Sequence, residues 1–402
     1  MENKSIYEEI AERTEGDIYI GVVGPVRTGK STFIKRFMET LVLPNIDNVY
    51  RRERARDELP QNGSGRTIMT AEPKFVPENA VDVQLGPANF SIRMIDCVGY
   101  LVPGAIGQLE NEMPRMVMTP WSSEEIPMAE AAEIGTRKVI SEHATIGLVV
   151  TTDGSITDIP REDYIEAEER VISELKEIGK PFMVLVNSVA PFSAAAQEVR
   201  EDIATRHDVT CMAVDCMSLS EDMIGDVIRN VLFEFPIKEI DINMPDWVEA
   251  LHTGHWLKND IYSNLIESFS NISRMWEAEM TVNSLGNQEY VSLGRLDGLD
   301  LGEGVVHATL EMPREMFYKI LGEQIGVDIK DDGDLMPLLG ELVSAKKEYD
   351  KVKGALEQVK ATGYGIVVPA VDELTLEEPE MVRQGGRFGV KLRASAPSIH
   401  AV

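Results

Sequence analysis

A phosphate-binding pattern lies close to the start of the chain. Residues 24–31 read Gly-Pro-Val-Arg-Thr-Gly-Lys-Ser and fit the form G-x-x-x-x-G-K-S. The fixed glycines let backbone N–H groups surround phosphate oxygens, and the helix that follows presents its positive end to the same anion. Lys30 would contact the β- and γ-phosphates, and the Ser31 hydroxyl would bind Mg²⁺. The pattern predicts a protein that binds a nucleoside triphosphate with magnesium and hydrolyses it.

A second motif offers an acid to the same magnesium ion. Residues 92–99 read Ile-Arg-Met-Ile-Asp-Cys-Val-Gly, so an apolar strand ends on Asp96 and Gly99 follows three residues later. This D-x-x-G arrangement is typical of switch-type nucleotide hydrolases, in which the acid holds magnesium through water and the glycine N–H senses the γ-phosphate. The preceding loop contains Thr67 and Thr70, and either hydroxyl is a candidate to close on magnesium and the γ-phosphate.

The segment that selects the base departs from the guanine-binding pattern. Guanine-binding hydrolases carry N-K-x-D after a later strand, and the final Asp accepts two hydrogen bonds from guanine. Here the segment keeps Asn187 but has Ser188 and Ala190 in place of Lys and Asp. A bidentate contact of this kind contributes about 1–3 kcal/mol of base discrimination. Its absence favours ATP over GTP as the substrate.

The residue that orients the attacking water in such hydrolases is also different. Gly99 is followed by Tyr100, whereas the related hydrolases use a Gln to orient this water. We therefore expect slow hydrolysis, or a water held by another residue or by a neighbouring subunit.

The elements that would position these residues alternate along the first half of the chain. Helical patterns separate apolar runs typical of buried strands, at residues 17–23, 81–85, 90–95, 146–152, 182–186 and 211–214. Strands alternating with helices of this length predict an α/β fold with a mostly parallel sheet and helices on both faces. Residues 43–71 are polar and lack such a pattern, which predicts a mobile loop.

The pattern changes near Pro236, and the rest of the chain predicts smaller domains. We predict a P-loop ATPase domain over residues 1–237, an α+β middle domain over 238–330 and a C-terminal helical and β region over 331–402. In the middle domain, Trp247, Trp256 and Trp276 are predicted core anchors. Between residues 338 and 359, apolar residues recur at spacings of four and three, which predicts a long helix. That helix either packs on its own domain or serves oligomerisation.

Composition restricts the partners and the compartment. The formal net charge is −29, so the average surface repels nucleic acid and anionic membranes. The three cysteines have a spacing that suits no zinc site, which favours a reducing compartment. The N-terminus lacks the apolar stretch of a signal peptide, and no uncharged apolar run approaches the roughly 18 residues of a membrane span. We expect a cytosolic protein without a nucleic-acid partner.

Long stretches of the chain resemble the stage IV sporulation protein A family, the morphogenetic ATPases of spore-forming bacteria. Among them are Thr-Ile-Met-Thr-Ala-Glu-Pro-Lys-Phe-Val at residues 67–76, Asp-Cys-Val-Gly-Tyr at 96–100 and Ala-Pro-Ser-Ile-His at 396–400. Further similar stretches lie at residues 10–14, 16–19, 27–28, 133–138, 163–170, 362–365 and 383–385. The resemblance covers essentially the whole chain.

The resemblance implies a fold related to that of translation-factor GTPases, in a protein that uses ATP instead of GTP. It implies that ATP hydrolysis with Mg²⁺ drives assembly of a static homopolymer, the basement layer of the spore coat. The implied location is the mother-cell cytoplasm at the outer surface of the forespore. The implied partners are other spore coat morphogenetic proteins and a small amphipathic membrane-anchoring peptide. Family members continue beyond the motif at 396–400 with a region used for localisation, which we expect this chain to lack because it stops at Val402.

By the same resemblance, Lys30 is the loop lysine, Thr70 the switch threonine and Asp96 the acid on the magnesium side. The predicted catalytic residues are Lys30, Thr70 and Asp96, and the predicted metal ligands are Ser31, Thr70 and Asp96. The predicted nucleotide-binding residues are Gly24, Pro25, Val26, Arg27, Thr28, Gly29, Lys30, Ser31, Thr32, Gly99 and Asn187. The alternative function is a GTPase-like switch that regulates partners without polymerising.

Overall fold

The computed structural model describes residues 4–60, 73–85, 88–103, 105, 109–110, 113–119, 122–286, 290–367, 374–396 and 399–401. The chain forms two compact units, Met1–Glu311 and Met312–Val402. The three-part division at 237/238 and 330/331 stays a prediction.

A six-stranded sheet forms the centre of the first unit. Its strands are β1 (Asp17–Val23), β2 (Lys74–Leu85), β3 (Ala88–Asp96), β4 (Ile146–Thr152), β5 (Phe182–Asn187) and β6 (Cys211–Val214). They lie in the order β6-β5-β4-β1-β3-β2, and neighbours are parallel except for β2 and β3. Every residue of β4 and β5 is buried, as expected for strands covered on both faces. The predicted α/β class with a mostly parallel sheet is confirmed.

Helices cover both faces of this sheet because alternate strand residues point to opposite sides. Along β1, Val22 belongs to one apolar cluster and Val23 to the other. Phe33 packs in the first cluster, and Val171 packs in the second. The helices of the first unit are α1 (Ile6–Arg13), α2 (Lys30–Phe37), α3 (Val49–Asp57), α4 (Met128–Lys138), α5 (Ile165–Ile178), α6 (Ala194–His207), α7 (Glu221–Phe233), α8 (Asp246–Glu249), α9 (Trp256–Ser270) and α10 (Ala278–Leu285).

Helix α3 lies where the sequence predicted a loop. The Asn48 side chain caps it by accepting hydrogen bonds from the N–H groups of Tyr50 and Arg51. Within α3, which is described in full, only Ala55 is buried. The helix therefore lacks the apolar stripe that makes a helix recognisable in a sequence. The loop prediction for residues 43–71 is wrong at 49–57, and its part at 61–71 lies outside the described residues.

The first unit also contains a three-stranded sheet, with β7 (Glu239–Asn243), β8 (Leu293–Asp300) and β9 (Val305–Glu311) in the order β7-β9-β8. The three predicted tryptophan anchors are wrong. Trp256 is 43% exposed, and Trp247 and Trp276 are half-buried. In each case the adjacent residue is the buried one: Val248, Leu257 and Met275. The indole rings therefore lie at the border of the core, where an amphipathic side chain is stable.

The second unit is built on α11 (Arg314–Ile325) and α12 (Asp332–Thr362), followed by short antiparallel strand pairs. The predicted long helix is thus present as α12. Within α12, all of which is described, only Ala355 is buried, and Leu342 and Tyr349 of the apolar repeat are each 52% exposed. Neither α12 nor another helix in the described part of the chain is long and apolar enough to cross a membrane.

Candidate nucleotide-binding site

The phosphate loop joins the end of β1 to the start of α2. Gly24 and Gly29 have φ angles of 131° and 94°, in the region that favours glycine. A Cβ atom on Gly24 would overlap the Val150 carbonyl, and one on Gly29 would overlap the Asn187 amide. Backbone conformation and space therefore both require glycine at these two positions.

The Lys30 ammonium is buried at the first turn of α2. Its Nζ donates to the carbonyl oxygens of Pro25 at 2.5 Å and Gly24 at 3.3 Å. An ammonium has three N–H donors, so these two bonds among the described residues leave one for a ligand. Burial lowers the pKa of Lys30 to about 8, and the nearby Asp96 carboxylate opposes this shift. An anion placed here would favour the charged lysine and be bound by it.

Ser31 and Asp96 meet beside Lys30. The Ser31 hydroxyl donates to Asp96 Oδ2 at 2.6 Å, whereas Asp96 Oδ1 is buried and has no hydrogen-bond partner among the described residues. Burial raises the pKa of Asp96, although the Ser31 hydrogen bond and the Lys30 charge oppose the change. A cation close to Asp96 would therefore stabilise the carboxylate form.

This set of oxygens fits a magnesium ion. Mg²⁺ is commonly held by one or two protein carboxylates or hydroxyls and by substrate phosphates, and it keeps several waters. Ser31 and Asp96 supply two such oxygens, and Oδ1 of Asp96 is a buried acceptor that needs a partner. Within the described residues, no group of three or more His, Cys, Asp or Glu side chains is placed to hold a metal.

The segment after β3 is hydrogen-bonded to the phosphate loop. The Tyr100 N–H donates to the Gly24 oxygen at 3.2 Å, and the Val26 N–H donates to the Tyr100 oxygen at 2.8 Å. Gly99 has a φ of 94°, and a Cβ atom there would overlap the Gly24 oxygen and the Lys30 ammonium. Gly99 therefore lies beside Lys30 and has no room for a side chain.

The Tyr100 side chain is bonded to α5. Its hydroxyl donates to the Glu174 carboxylate, and the Arg170 guanidinium lies over its ring, 5.6 Å from the ring centroid. Arg170 in turn forms two hydrogen bonds of 2.6 Å with Glu133 of α4. Burial and the bond to Glu174 raise the pKa of Tyr100. Tyr100 belongs to this network, which sequence reasoning missed because no local pattern links Glu174 to the site.

Asn187 braces the phosphate loop. Its Nδ2 donates to the Thr28 carbonyl at 3.0 Å, and its Oδ1 accepts from the Cys216 N–H at 3.1 Å. The residue is only 5% exposed. The Asn187 amide therefore connects the phosphate loop to the segment after β6. The sequence did not point to Cys216, because any residue at that position would supply the same backbone N–H.

Ser188 and Ala190 occupy the positions at which a guanine-binding segment has Lys and Asp. Ser188 is buried, and its hydroxyl accepts from the Ala190 N–H at 3.0 Å. Although burial opposes it, hydrogen bonds from Ser155 and Ser188 lower the pKa of Asp153. The Ser188 hydroxyl is thus used within the protein, and position 190 carries a methyl group and no carboxylate.

Replacing Asn187 with alanine should lower the free energy of unfolding by about 2–4 kcal/mol, because the buried Thr28 carbonyl and Cys216 N–H would both lose their partner. Urea denaturation of the protein without nucleotide measures this change. The control is Asn271→Ala, which removes an exposed amide that donates to the Glu267 carbonyl of the same helix. Equal effects of the two substitutions would contradict the bracing role.

The remaining predicted residues lie in the loop or next to it. The Thr28 hydroxyl donates to the Pro25 carbonyl at 2.9 Å, and Val26 and Thr28 are buried. Thr32 is half-buried in the first turn of α2. Arg27 has a φ of 63°. Thr67 and Thr70 lie outside the described residues, so the choice between them stays a prediction.

Known proteins match this chain over its full length. The family model described as Stage IV sporulation protein A, ATPase domain, matches residues 1–236, and the one described as Stage IV sporulation protein A, middle domain, matches residues 237–402. The chain is similar to Stage IV sporulation protein A of Bacillus anthracis and of Bacillus subtilis (strain 168), each 50% identical over 403 residues. The protein of that name from Clostridioides difficile (strain 630) is 47% identical over 401 residues. Each comparison covers 100% of this chain and 82% of the relative.

Proposed function

The chain belongs to the stage IV sporulation protein A family, and we propose that it is a P-loop ATP hydrolase that uses ATP and Mg²⁺ to drive its own assembly. It is a sporulation protein, and the family model that matches residues 1–236 describes an ATPase domain. The proposed product is a static homopolymer that forms the basement layer of the bacterial spore coat.

One arrangement supports the nucleotide part of this proposal above all others. The buried Lys30 ammonium and the Ser31–Asp96 pair meet at the carboxyl ends of β1 and β3, beside Gly99. In open α/β sheets, ligands bind at the carboxyl ends of the strands. A cation, a hydroxyl and a carboxylate in one buried place match a magnesium-bound triphosphate in charge and in ligand chemistry.

Each of these residues has a task in hydrolysis. The remaining N–H donor of Lys30 would bind the β- and γ-phosphates and stabilise the charge that develops there. Ser31 and Asp96 would hold Mg²⁺, which when bound neutralises charge on the reacting phosphates. Gly99 has no side chain and so allows the backbone to approach the γ-phosphate. Thr70 is the proposed switch threonine, with Thr67 as its competitor.

Adenine is the proposed base. A guanine site of this class needs the carboxylate that Ala190 lacks, and the Ser188 hydroxyl is bonded to the Ala190 N–H and to Asp153. Asn187 contributes by holding Thr28 and Cys216, and therefore the shape of the nucleotide site, in place. Because the discrimination from one bidentate base contact is about 1–3 kcal/mol, GTP would lose its usual advantage.

The assembly part draws support from α12 and from the charge of the chain. An exposed 31-residue helix with Leu342 and Tyr349 on its surface offers contact area for another copy. The net charge of −29 disfavours unspecific aggregation and so favours contacts of defined geometry. We propose the outer forespore surface in the mother-cell cytoplasm as the location. Other coat morphogenetic proteins and a small amphipathic membrane-anchoring peptide are the proposed partners.

Phosphate release measured alongside pelleting tests this function. With Mg²⁺, the protein should release phosphate from ATP at least as fast as from GTP, because the lost base contact removes the usual advantage of GTP. Pelleted protein should increase with ATP and stay at its starting level without nucleotide. A control without Mg²⁺ should show neither phosphate release nor pelleting.

Two results would contradict the proposal. Faster turnover of GTP than of ATP would overturn the choice of base. Nucleotide hydrolysis by a protein that stays in the supernatant in every nucleotide state would favour the GTPase-like switch, which selects partners without polymerising.

A further inference from the structure

We propose that α12 pairs, in parallel and in register, with the α12 of a second copy of this chain. The inference deepens the proposed self-assembly, on which it rests for its role, by naming one contact. Three features of the helix support the pairing: an apolar stripe that is exposed in its middle, charges along both borders of that stripe, and the spacing of those charges.

The apolar stripe of α12 has the spacing of a coiled coil. Its residues are alternately four and three positions apart over about three heptads. In heptad notation, the a positions are Leu342, Tyr349 and Leu356, and the d positions are Leu338, Ala345, Val352 and Val359. In a coiled coil, the a and d side chains pack into the partner helix.

The middle of this stripe is exposed. Leu342 and Tyr349 are each 52% exposed, and Ala345 between them is exposed as well. Further along the helix, Ala355 is buried, and a Cβ atom on Gly365 in the strand after the helix would overlap the Ala355 oxygen. The unit therefore covers α12 near its end and leaves the middle of the stripe for another molecule, since exposed apolar side chains that lie together mark an interaction surface.

Charges of opposite sign border the two sides of the stripe. Glu341 and Glu348 occupy g positions, and Lys346 and Lys353 occupy e positions. All four residues are exposed. In a coiled coil, the e and g residues lie beside the partner helix, and their ion pairs set the choice and the orientation of the partner. The signs of these four charges therefore restrict which helix can bind.

The spacing of the charges suits a second helix better than their own. Glu341 and Lys346 are five residues apart, as are Glu348 and Lys353. Within one helix, side chains three or four residues apart are neighbours, so these two pairs do not meet there. In a parallel pair in register, a g residue of one helix lies beside the e residue five positions later on the other. Each spacing then gives two ion pairs between the copies.

These charges have few partners within the chain itself. Among the described residues, Glu341, Lys346 and Lys353 form no ion pair, and Glu348 pairs with Lys351 at 3.0 Å. The Glu348–Lys351 pair is exposed and contributes little to stability. Glu348 can therefore exchange this contact for a lysine of a second copy at little cost.

An antiparallel pair of the same helices would be repelled. In that arrangement g residues lie beside g residues and e residues beside e residues, so glutamates would face glutamates and lysines would face lysines. Like charges at such positions are destabilising. The charges thus favour a parallel second copy, with both helices using the same surface around a two-fold axis.

Sedimentation equilibrium of the full chain without nucleotide tests the pairing. The wild type should form a dimer that weakens with added salt, because its ion pairs are exposed. Glu341→Lys combined with Glu348→Lys should raise the dissociation constant of the dimer at least about tenfold, since attraction between the copies becomes repulsion. The matched control is Asp350→Lys combined with Glu357→Lys, which makes the same change of charge at exposed b positions off the stripe. It should dimerise as the wild type does.

A charge-reversed partner should restore the contact. Lys346→Glu combined with Lys353→Glu should also weaken the dimer when this variant is alone. An equal mixture with the protein carrying Glu341→Lys and Glu348→Lys should dimerise again, because opposite charges then face each other across the two helices. Circular dichroism should show an unchanged fold in both variants, since all four substituted residues are exposed.

Cross-linking tests the orientation of the two helices. Leu342→Cys should give a disulfide-linked dimer on mild oxidation, because equivalent a positions of parallel helices in register lie within the roughly 7 Å between Cα atoms that a disulfide requires. In an antiparallel pair centred on Lys347, the two positions would lie about 15 Å apart. The background is the unsubstituted protein, in which two of the three free cysteines are buried and the third is half-buried.

The outcomes separate this inference from the proposed function. A wild type that stays monomeric at every soluble concentration would overturn the pairing and leave the ATPase proposal standing. Equal dimerisation by the Glu341→Lys, Glu348→Lys variant and its control would also overturn it, as would a dimer in which Leu342→Cys forms no cross-link. Dimers that neither release phosphate from ATP nor pellet with it would contradict the proposed function and leave the pairing in place. Loss of the dimer on charge reversal, its restoration in the mixture and the cross-link would together support the pairing.

Discussion

Replacing Lys30 with alanine should weaken ATP binding at least about 100-fold and abolish phosphate release and ATP-dependent pelleting. A hydrogen bond to a charged group contributes about 1.5–3 kcal/mol, and a tenfold change in affinity corresponds to about 1.4 kcal/mol. Lys30 offers both a hydrogen bond and a charge, from a buried position where water screens little. Losing both should exceed the effect of any other single side chain in the loop.

Calorimetric titration with ATP measures the effect of Lys30→Ala. Lys35→Ala is the matched control, since Lys35 is half-buried on the same helix and has the same charge. Circular dichroism shows whether both variants keep the fold. ATP affinity of Lys30→Ala within threefold of the wild type would show that the nucleotide binds elsewhere.

Asp96→Asn should separate binding from turnover. We expect kcat to fall at least about 100-fold, because the amide is a poorer ligand for Mg²⁺ than a carboxylate, whereas ATP affinity should change less than about tenfold. The protein without nucleotide should be no less stable than the wild type. Burial in the folded protein raises the pKa of Asp96, so the ionised carboxylate lowers the free energy of unfolding at pH values above the pKa of the unfolded chain. A neutral amide at this position avoids that loss of stability.

Phosphate release, ATP titration and urea denaturation together measure these three quantities. Asp82→Asn is the control, because Asp82 also accepts a serine hydroxyl bond on the same sheet, from Ser91 at 2.7 Å, but is exposed. That variant should match the wild type in all three measurements. Unchanged kcat in Asp96→Asn would remove Asp96 from the proposed magnesium site.

The sequence predicted those parts of the site that depend on strand and loop chemistry. Apolar runs predicted the buried strands. The phosphate-binding pattern follows β1, and the D-x-x-G motif begins at the end of β3. The two strands are paired with Val22 opposite Asp96. Parallel neighbours place these ends on one edge of the sheet, so proximity of Ser31 and Asp96 follows from topology. The class of the sheet and the proximity of Ser31 to Asp96 can therefore be predicted from local sequence patterns.

Other features of the fold and the site could not be predicted from the sequence, for physical reasons. Helix α3 buries little more than Ala55, so it leaves no apolar period in the sequence. The bracing by Asn187 depends on backbone groups of Thr28 and Cys216, which carry no sequence signal. The three tryptophans were predicted as core anchors, but an indole is stable at the border of a core as well. Trp256, which is 43% exposed, illustrates the difference.

The bonds of Tyr100 have a consequence for communication across the first unit. Its backbone contacts the phosphate loop, and its side chain is joined through Glu174 and Arg170 to Glu133, so one residue connects the phosphate loop with α4 and α5. Binding free energies at coupled sites are reciprocal. If ATP binding changes these contacts, it also changes the affinity of any macromolecule that binds the Arg170–Glu133 pair. That macromolecule must then change the affinity of the protein for ATP by the same factor. In that case the Arg170–Glu133 pair would link such a macromolecule to the phosphate loop.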